Sequence, residues 1–212
     1  MEDAEHIWTI VVGGGSGQRF GTLKQYEQLG DRRVIDHARS AATACSDGVV
    51  VVVPAADAER EGAVAGGATR SDSVRAGLAA VPAAATIVCV HDAARPFAEP
   101  ELFERVVAAV VDGADGAIPA VAVTDTIKVV DDGVVVATPD RSSLVAVQTP
   151  QAFRAHVLRQ AHASADTSTD DAALVEAIGG RVVVVQGDPR NRKLTHPDDL
   201  DWARRQLETS TP

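Results

Sequence analysis

The chain has 212 residues, of which 45% are hydrophobic, 24% charged and only 3% aromatic. At ~150 residues per domain, this length predicts roughly one domain that can bury a sizeable core. Lys and Arg total 20 against 30 Asp and Glu, a net charge of −10, which excludes a uniformly basic surface for nucleic acid or anionic lipid.

Cysteine usage and the apolar segments narrow the class of protein further. Cys45 and Cys89 are far apart, with no CxxC pair or Cys/His ladder, so neither a structural zinc site nor a disulfide scaffold is expected. Cys89 lies in an apolar run and is predicted to be a core residue. The acidic residues 1–6 contain no signal-peptide core, and no apolar stretch approaches the ~20 residues that span a bilayer. We therefore expect a cytoplasmic protein that binds neither membranes nor nucleic acid.

Short β-branched runs alternate with Ala- and Leu-rich segments of helical spacing. The runs predicted as buried strands are 7–12, 49–53, 86–91, 116–121 and 181–186. The segments predicted as helices are 34–44, 71–80, 99–111, 151–163 and 170–178, with a closing helix from Pro197 to about Leu207. This alternation predicts an α/β fold, a single domain over residues 1–212 with a mostly parallel, Rossmann-like sheet and helices on both faces.

Residues 125–137 interrupt the alternation. Two valine-rich runs flank Asp132-Gly133, a dipeptide typical of the tight turn of a β-hairpin. A two-stranded ribbon is too small to bury its own core. We therefore expect an arm, inserted at about residues 124–142, that projects from the domain and packs on something else, such as a second subunit.

A glycine-rich segment, GGGSGQR at 13–19, directly follows the first predicted strand. Glycines let the backbone approach a phosphate chain and point its N–H groups inward, and α/β sheets bind ligands at this edge. The segment is not a Walker A loop, because it lacks Gly-Lys-Ser/Thr, and Phe20 stands where GxGxxG needs its last glycine. A tight turn alone would need fewer glycines. Arg19 and Lys24 behind the loop are candidate phosphate contacts, with solvated surface charge as the alternative.

Other candidate residues follow later strands. Asp92 comes directly after the run 86–91, so its carboxylate would emerge beside the glycine loop, where it could hold Mg²⁺ together with substrate phosphates or act as an N-cap or partner of Arg95. His91 is expected to be a hydrogen-bonded core residue without a catalytic role. Gly66-Gly67 precede a helix whose free N–H groups could recognise a base edge, the alternative being simple capping by Ser71 or Asp72. Lys193 belongs to a basic cluster that is either a solvated face or a phosphate contact.

Together these segments resemble a known family. GGGSGQR with KQY at 24–26 resembles the signature of the sugar-phosphate nucleotidyltransferases, and the whole set resembles the 2-C-methyl-D-erythritol 4-phosphate cytidylyltransferase family. The further segments, in the family's order, are GGATRSDSV (66–74), VHDAARP (90–96), DTIK (125–128), QTPQ (148–151), TDDA (169–172) and NRKLT (191–195). They cover nearly the whole chain.

The resemblance implies a reaction and a set of site residues. The 4-phosphate of methylerythritol phosphate would attack the α-phosphorus of CTP and release pyrophosphate, a step of non-mevalonate isoprenoid precursor biosynthesis that uses Mg²⁺ or another divalent cation held near Asp92. The nucleotide-binding residues would be Gly13, Gly14, Gly15, Ser16, Gly17, Gln18, Gly67 and Ser73. The catalytic residues would be Arg19, Lys24, Arg141 and Lys193. The residues that contact the polyol phosphate would be Asp92, Ala93, Arg95, Thr126 and Thr169, with Thr126 and Arg141 reaching a neighbouring subunit of a homodimer through the arm.

The sequence also departs from the family's pattern. Ala68 replaces a frequent acidic residue, Arg192 replaces an apolar one, and residues 20–23 form a shorter segment than usual, with Leu23 in place of proline. Two alternatives therefore stay open: a ribitol 5-phosphate cytidylyltransferase, and a nucleotide-binding homologue with weakened catalysis.

Overall fold

A computed structural model describes residues 5–14, 23–163, 168 and 170–210 of the chain. Its strands are β1 Ile7–Val12, β2 Gln28–Leu29, β3 Arg32–Arg33, β4 Gly48–Val53, β5 Val64–Ala65, β6 Ile87–Asp92, β7 Gly116–Ala122, β8 Val129–Asp131, β9 Val134–Ala137, β10 Val145–Val147, β11 Gln151–Arg154 and β12 Val182–Gln186. Its α-helices are α1 Val34–Ala44, α2 Ala58–Glu61, α3 Arg70–Ala80, α4 Pro100–Val111, α5 Ala155–Ala163, α6 Asp171–Ala177 and α7 Pro197–Ser210.

The main sheet has the order β10-β7-β11-β6-β1-β4-β5, and β12 pairs with β7. Strand β1 runs parallel to β4 and β6, and β5 and β12 also pair in parallel, whereas β10 and β11 are antiparallel to their neighbours. The predicted mostly parallel sheet is therefore confirmed. Val12 pairs with both Val52 and Asp92, so the carboxyl ends of three strands meet at one edge.

Successive side chains of the central strands point to opposite faces of the sheet, so a hydrophobic core forms on each face. Ile10 and Val88 belong to one buried cluster with residues of α3, α5 and α6, whereas Val11 and Cys89 belong to a second with residues of α1 and α4. All four side chains are fully buried. Continuous β-branched runs suit strands covered on both faces, which is why these strands could be predicted.

The predicted helix over 151–163 is wrong in its first turn. Residues 151–154 form β11, which pairs antiparallel with β6, and the helix begins only at Ala155. Phe153 is fully buried, and a Cβ at Gly116 on β7 would lie 2.6 Å from its ring, so Gly116 makes room for it. Pairing with a distant strand has overridden the local helical spacing.

The predicted hairpin is confirmed as β8 and β9. Asp132 and Gly133 both have positive φ, 44° and 77°, which suits a tight turn between twisted strands. The valines of both strands are exposed, with 55% of Val130 and 65% of Val134 accessible. The use of this arm in dimerisation stays a prediction. Within the ranges that the structure describes, no helix is long and apolar enough to cross a membrane.

Candidate active site

The carboxyl edge of the sheet brings two glycine segments together around Ser73. The amide of Gly13 donates to the carbonyl of Val52 at 2.7 Å. A Cβ at Gly14 or at Gly66 would lie only 2.9 Å from Ser73 Oγ, so a side chain at either position would have to displace this hydroxyl. Gly13, Gly14, Gly67 and Ser73 thus lie at the same edge, and their contact with a nucleotide stays a prediction, whereas Gly15, Ser16, Gly17, Gln18 and Arg19 lie outside the described residues.

Thr69 is the N-cap of α3, Asp72 completes the cap, and Ser71 takes no part in it. The Asp72 amide donates to Thr69 Oγ1, and the Thr69 amide donates to Asp72 Oδ2, both at 3.0 Å. The two bonds form a reciprocal capping box. The Ser71 hydroxyl instead donates to the carbonyl of Ser168 at 2.7 Å. Ser73 Oγ donates to the Thr69 carbonyl and accepts from the Gly67 amide, so it fixes the turn that is proposed to read the base.

Asp92 is the carboxylate that contacts two cationic side chains at this edge of the sheet. It ends β6 with 7% exposure, and its Oδ2 accepts from Lys193 Nζ at 2.6 Å while Oδ1 accepts from Arg70 Nε at 3.4 Å. Burial acts to raise the pKa of Asp92, but Lys193 and Arg70 outweigh it and hold that pKa well below its ordinary value. A carboxylate ionised at neutral pH therefore lies between two cations, at the strand end next to that of Val12 and Gly13.

Arg70 is a site residue that sequence reasoning did not single out. It is the first residue of α3, and its Nη1 donates to Asp171 Oδ2 at 2.6 Å. Burial acts to lower the pKa of Arg70, but Asp171 and Asp92 outweigh it and raise that pKa. The available signal was an arginine in the first turn of a helix that opens at the same edge as Asp92.

Polar side chains fix the backbone on either side of Asp92. The Asp92 amide donates to Thr149 Oγ1 at 3.0 Å, and Thr149 Oγ1 also bonds His91 Nδ1 at 3.1 Å. Asn191 Nδ2 donates to the Thr149 carbonyl, and the Leu194 amide to the Ala94 carbonyl, both at 2.8 Å. These bonds fasten the segment that carries Lys193 to the end of β6.

His91 is a fully buried, hydrogen-bonded core residue, as predicted. Its Nε2 bonds the carbonyl of Arg95 at 3.2 Å, and its ring meets Phe103 edge to face. Burial lowers the pKa of His91 to about 4 and outweighs the nearby Asp92, which acts in the opposite direction. His91 is therefore neutral in the folded protein at neutral pH.

This neutral histidine predicts a loss of stability in mild acid. The pKa of His91 is lower in the folded than in the unfolded protein, so the unfolded chain takes up the proton first as the pH falls. The contribution of neutral His91 to the free energy of unfolding is therefore complete above about pH 6.5 and is lost as the pH falls towards about 4. We expect His91 to account for about 2 kcal/mol of the free energy of unfolding lost between about pH 7.5 and about pH 5. Urea titrations of the wild type and His91→Gln at both pH values measure it. An equal pH-dependent loss in the variant contradicts it.

Arg95 lies near Asp92 and Arg70, but its own hydrogen bonds go to backbone carbonyls. Its Nη1 donates to the Asn191 carbonyl at 2.8 Å and its Nη2 to the Val147 carbonyl at 3.3 Å. Burial lowers the pKa of Arg95, and Asp92 opposes that shift. Ala93 is fully buried, with its amide donating to the Val12 carbonyl. Contact of either residue with a polyol phosphate stays a prediction.

The structure does not bring every predicted site residue to Asp92. Arg141 and Thr126 are exposed on the arm, and Arg141 Nη1 donates to the Thr124 carbonyl at 2.7 Å. Thr169 lies outside the described residues. Lys24 begins a single 3₁₀ turn, Lys24–Tyr26, and the ring of Tyr26 lies under two guanidinium groups.

The donor set fits one kind of metal site. Among the described residues, no group of three His, Cys, Asp or Glu side chains could hold a metal ion. Asp92 is a single carboxylate whose two oxygens face Lys193 and Arg70. It suits a hard cation that takes its other oxygens from phosphates and water, which is how Mg²⁺ is commonly bound.

The arginine at position 192 has a structural explanation. Its Nη2 lies 2.6 Å from Asp199 Oδ1, and its guanidinium stacks over Trp202 at 5.4 Å from the ring centre. Asp199 also accepts from the amides of Thr195 and His196. Arg192 therefore attaches the Lys193 segment to α7.

Comparison with known proteins agrees with this geometry. The family model for 2-C-methyl-D-erythritol 4-phosphate cytidylyltransferase (IspD) matches residues 7–209. The chain is 43% identical to the protein of that name from Syntrophotalea carbinolica, covering 96% of this chain and 97% of the relative. It is also 47% identical to a bifunctional IspD/IspF enzyme from Anaeromyxobacter dehalogenans, of whose length it spans 58%.

Solved structures show the same fold. A 4-diphosphocytidyl-2C-methyl-D-erythritol synthase from Anaerococcus prevotii superposes with a TM-score of 0.85 at 29% identity, covering 97% of this chain and all of that one. A 2-C-methyl-D-erythritol 4-phosphate cytidylyltransferase from Thermus thermophilus gives 0.81 at 31% identity, covering 98% of this chain and all of that one. The chain belongs to the 2-C-methyl-D-erythritol 4-phosphate cytidylyltransferase family.

Proposed function

We propose that this chain transfers the cytidylyl group of CTP to 2-C-methyl-D-erythritol 4-phosphate, giving 4-diphosphocytidyl-2-C-methyl-D-erythritol and pyrophosphate. Membership of the family supports this activity, and the observation that carries it is the placement of Asp92 and Lys193 beside Gly13, Gly14 and the Ser73 turn. Two glycine segments and an ion pair thus lie at one edge of the sheet, an arrangement that supports binding of a nucleotide there.

This reaction requires the protein to supply positive charge and to align the two substrates. A phosphate oxygen of the acceptor forms a bond to the α-phosphorus, and the bond from that phosphorus to the bridging oxygen breaks, so pyrophosphate leaves with the electron pair. A phosphate monoester with a second pKa of ~6 is largely a dianion at neutral pH, so the attacking oxygen needs no general base. The protein must instead bring two anions together, which is a task for fixed cations.

Lys193 is the cation best placed to receive the acceptor phosphate. Its side chain is 39% exposed although its Nζ lies 2.6 Å from Asp92, so a phosphate can reach it. Arg70 Nε lies 3.4 Å from the other oxygen of Asp92, so this carboxylate would keep one cation when Lys193 turns to the phosphate. We propose that Arg19 and Lys24 contact the nucleotide phosphates and that Arg141 of a second subunit contacts the acceptor.

We also propose Mg²⁺ as the cofactor, held by Asp92 and by phosphate oxygens. The ion would neutralise part of the negative charge of the bound triphosphate. Cytoplasmic location stays a prediction, and the free thiols of Cys45 and Cys89 are compatible with it.

Pyrophosphate release tests the function. CTP, UTP and ATP are each combined with 2-C-methyl-D-erythritol 4-phosphate and with ribitol 5-phosphate in the presence of Mg²⁺. We expect turnover only with CTP and the methylerythritol phosphate. Turnover with ribitol 5-phosphate would assign the chain to the alternative cytidylyltransferase, and CTP binding without any turnover would identify the homologue with weakened catalysis.

We predict that the arm makes the protein a homodimer. Its hydrogen bonds from Lys128 and Arg141 stay within residues 124–141, and its valines are exposed. Burial of these side chains against a second copy would stabilise the pair by ~25 cal/mol per Å² of apolar area. Light scattering should give a dimer for the wild type and a monomer with low turnover for the double variant Val130→Lys/Val135→Lys.

The matched control is Val184→Lys, an exposed valine on β12 that lies outside the arm. It should keep the mass and the turnover of the wild type. A wild-type monomer with full activity would disprove both the dimer and a contribution of Arg141 from a second subunit.

A further inference from the structure

A row of side chains, alternately basic and acidic, runs from the site into the interior of the protein. Lys193 bonds Asp92, Asp92 meets Arg70, Arg70 bonds Asp171, and Asp171 Oδ1 lies 2.9 Å from His162 Nε2. The row thus begins at an exposed lysine and ends at a histidine on α5.

Asp171 and His162 are the inner members of this row. Asp171 is 1% exposed and His162 is 4% exposed. Both carboxylate oxygens of Asp171 are used, one by Arg70 and one by His162. A buried carboxylate needs such partners, and here one of them leads directly to Asp92.

Arg70 needs this support because its own contact with Asp92 is long. Arg70 Nε lies 3.4 Å from Asp92 Oδ1, against 2.6 Å for Lys193 on the other oxygen. When a substrate phosphate draws Lys193 away, the orientation of Asp92 depends on Arg70. A long arginine side chain holds one orientation only where a second group fixes its guanidinium, and Asp171 supplies that group at 2.6 Å.

We propose that Asp171 and His162 are positioning residues that hold Arg70 against Asp92 during the reaction. His162 donates from Nε2 to Asp171 and fixes the carboxylate, which in turn fixes Arg70. This inference rests on the proposed function and extends the site to α5 and α6, beyond the residues that touch substrate.

The test is made at His162, because replacing Asp171 would leave Arg70 without its shortest ion pair and threaten the fold. His162→Ala removes the donor, whereas His162→Gln keeps an N–H donor at a similar distance from the backbone. His162 also lines an open cavity of about 620 Å³, through which added imidazole can reach the space left in His162→Ala. The matched control is His156→Ala, on the exposed side of the same helix.

We expect kcat to fall about 10–100-fold in His162→Ala, as for other outer-shell partners, with the affinity for CTP changed less than about threefold because the Ser73 turn is untouched. His162→Gln and added imidazole should each restore most of the loss, and His156→Ala should match the wild type. A kcat that does not change in His162→Ala, or a loss that follows the unfolded fraction and is restored by neither treatment, overturns the proposal.

A readout independent of activity separates this inference from the proposed function. The Nε–H proton NMR signal of Arg70, identified by its absence in Arg70→Lys, should be sharp in the wild type and in His162→Gln and broadened by solvent exchange in His162→Ala. If the wild type releases no pyrophosphate, the proposed function fails and this signal decides the inference alone: broadening supports it, and an unchanged signal overturns it.

Discussion

Replacing Lys193 with methionine is expected to lower kcat on the order of 10²–10³-fold, the loss found when one preorganised donor is removed from a site that stabilises charge. Methionine keeps the length of the side chain and removes its charge. Asp92 retains Arg70, so the fold should survive, but this buried carboxylate loses its shortest hydrogen bond, and we expect the free energy of unfolding to fall by about 1–3 kcal/mol. Pyrophosphate release and urea unfolding, measured on the same preparation, check both parts.

Arg190→Ala is the matched control, because it removes an exposed cation from the same segment. Its kcat should stay within about twofold of the wild type, as for a surface change away from the reacting groups. If Lys193→Met and Arg190→Ala gave equal, small effects, the charge of this segment would act only as a general field, and the role of Lys193 at the acceptor phosphate would be wrong.

The elements that the sequence predicts well are those whose signal is local. Helical spacing of the apolar positions predicts α1 at residues 34–44, and the six residues from Ile7 predict β1 because they suit a strand buried on both faces. Strand β11 could not be predicted in the same way. Its partners lie on β6 and β7, both distant in the chain, and its own residues have helical spacing.

In the site too, features with a local sequence signal could be predicted, whereas contacts between distant residues could not. Asp92 could be placed beside the start of the glycine loop because parallel strands bring their carboxyl ends to one edge, and the pairing of Asp92 with Val12, the residue before Gly13, confirms it. Arg70 could not be predicted as the second partner of Asp92, because nothing local shows whether Arg70, Arg75 or Arg95 turns towards that carboxylate. Arg70 does so because the capping box of Thr69 and Asp72 starts α3 at that point.

Replacing Asp92 with asparagine is expected to affect both catalysis and stability. The pKa of Asp92 lies below its ordinary value, so its stabilising charge is present at neutral pH and is lost only as the pH falls below about 3.9 towards the folded pKa. Asparagine cannot balance Lys193 and the largely buried Arg70. We expect a loss of about 3–5 kcal/mol in the free energy of unfolding, as for other broken buried ion pairs, and a fall in kcat on the order of 10²-fold or more.

Urea unfolding at neutral pH and pyrophosphate release test the two effects separately. Asp201→Asn is the control for stability, because it breaks an exposed ion pair with Arg204 and should cost no more than about 1 kcal/mol. Equal stability of Asp92→Asn and the wild type would mean that Arg70 and Lys193 do not depend on this carboxylate. A loss of stability with unchanged kcat would mean that Asp92 only holds the two cations in place. A loss of both is the result expected of a carboxylate that orders the cations and also acts in the reaction.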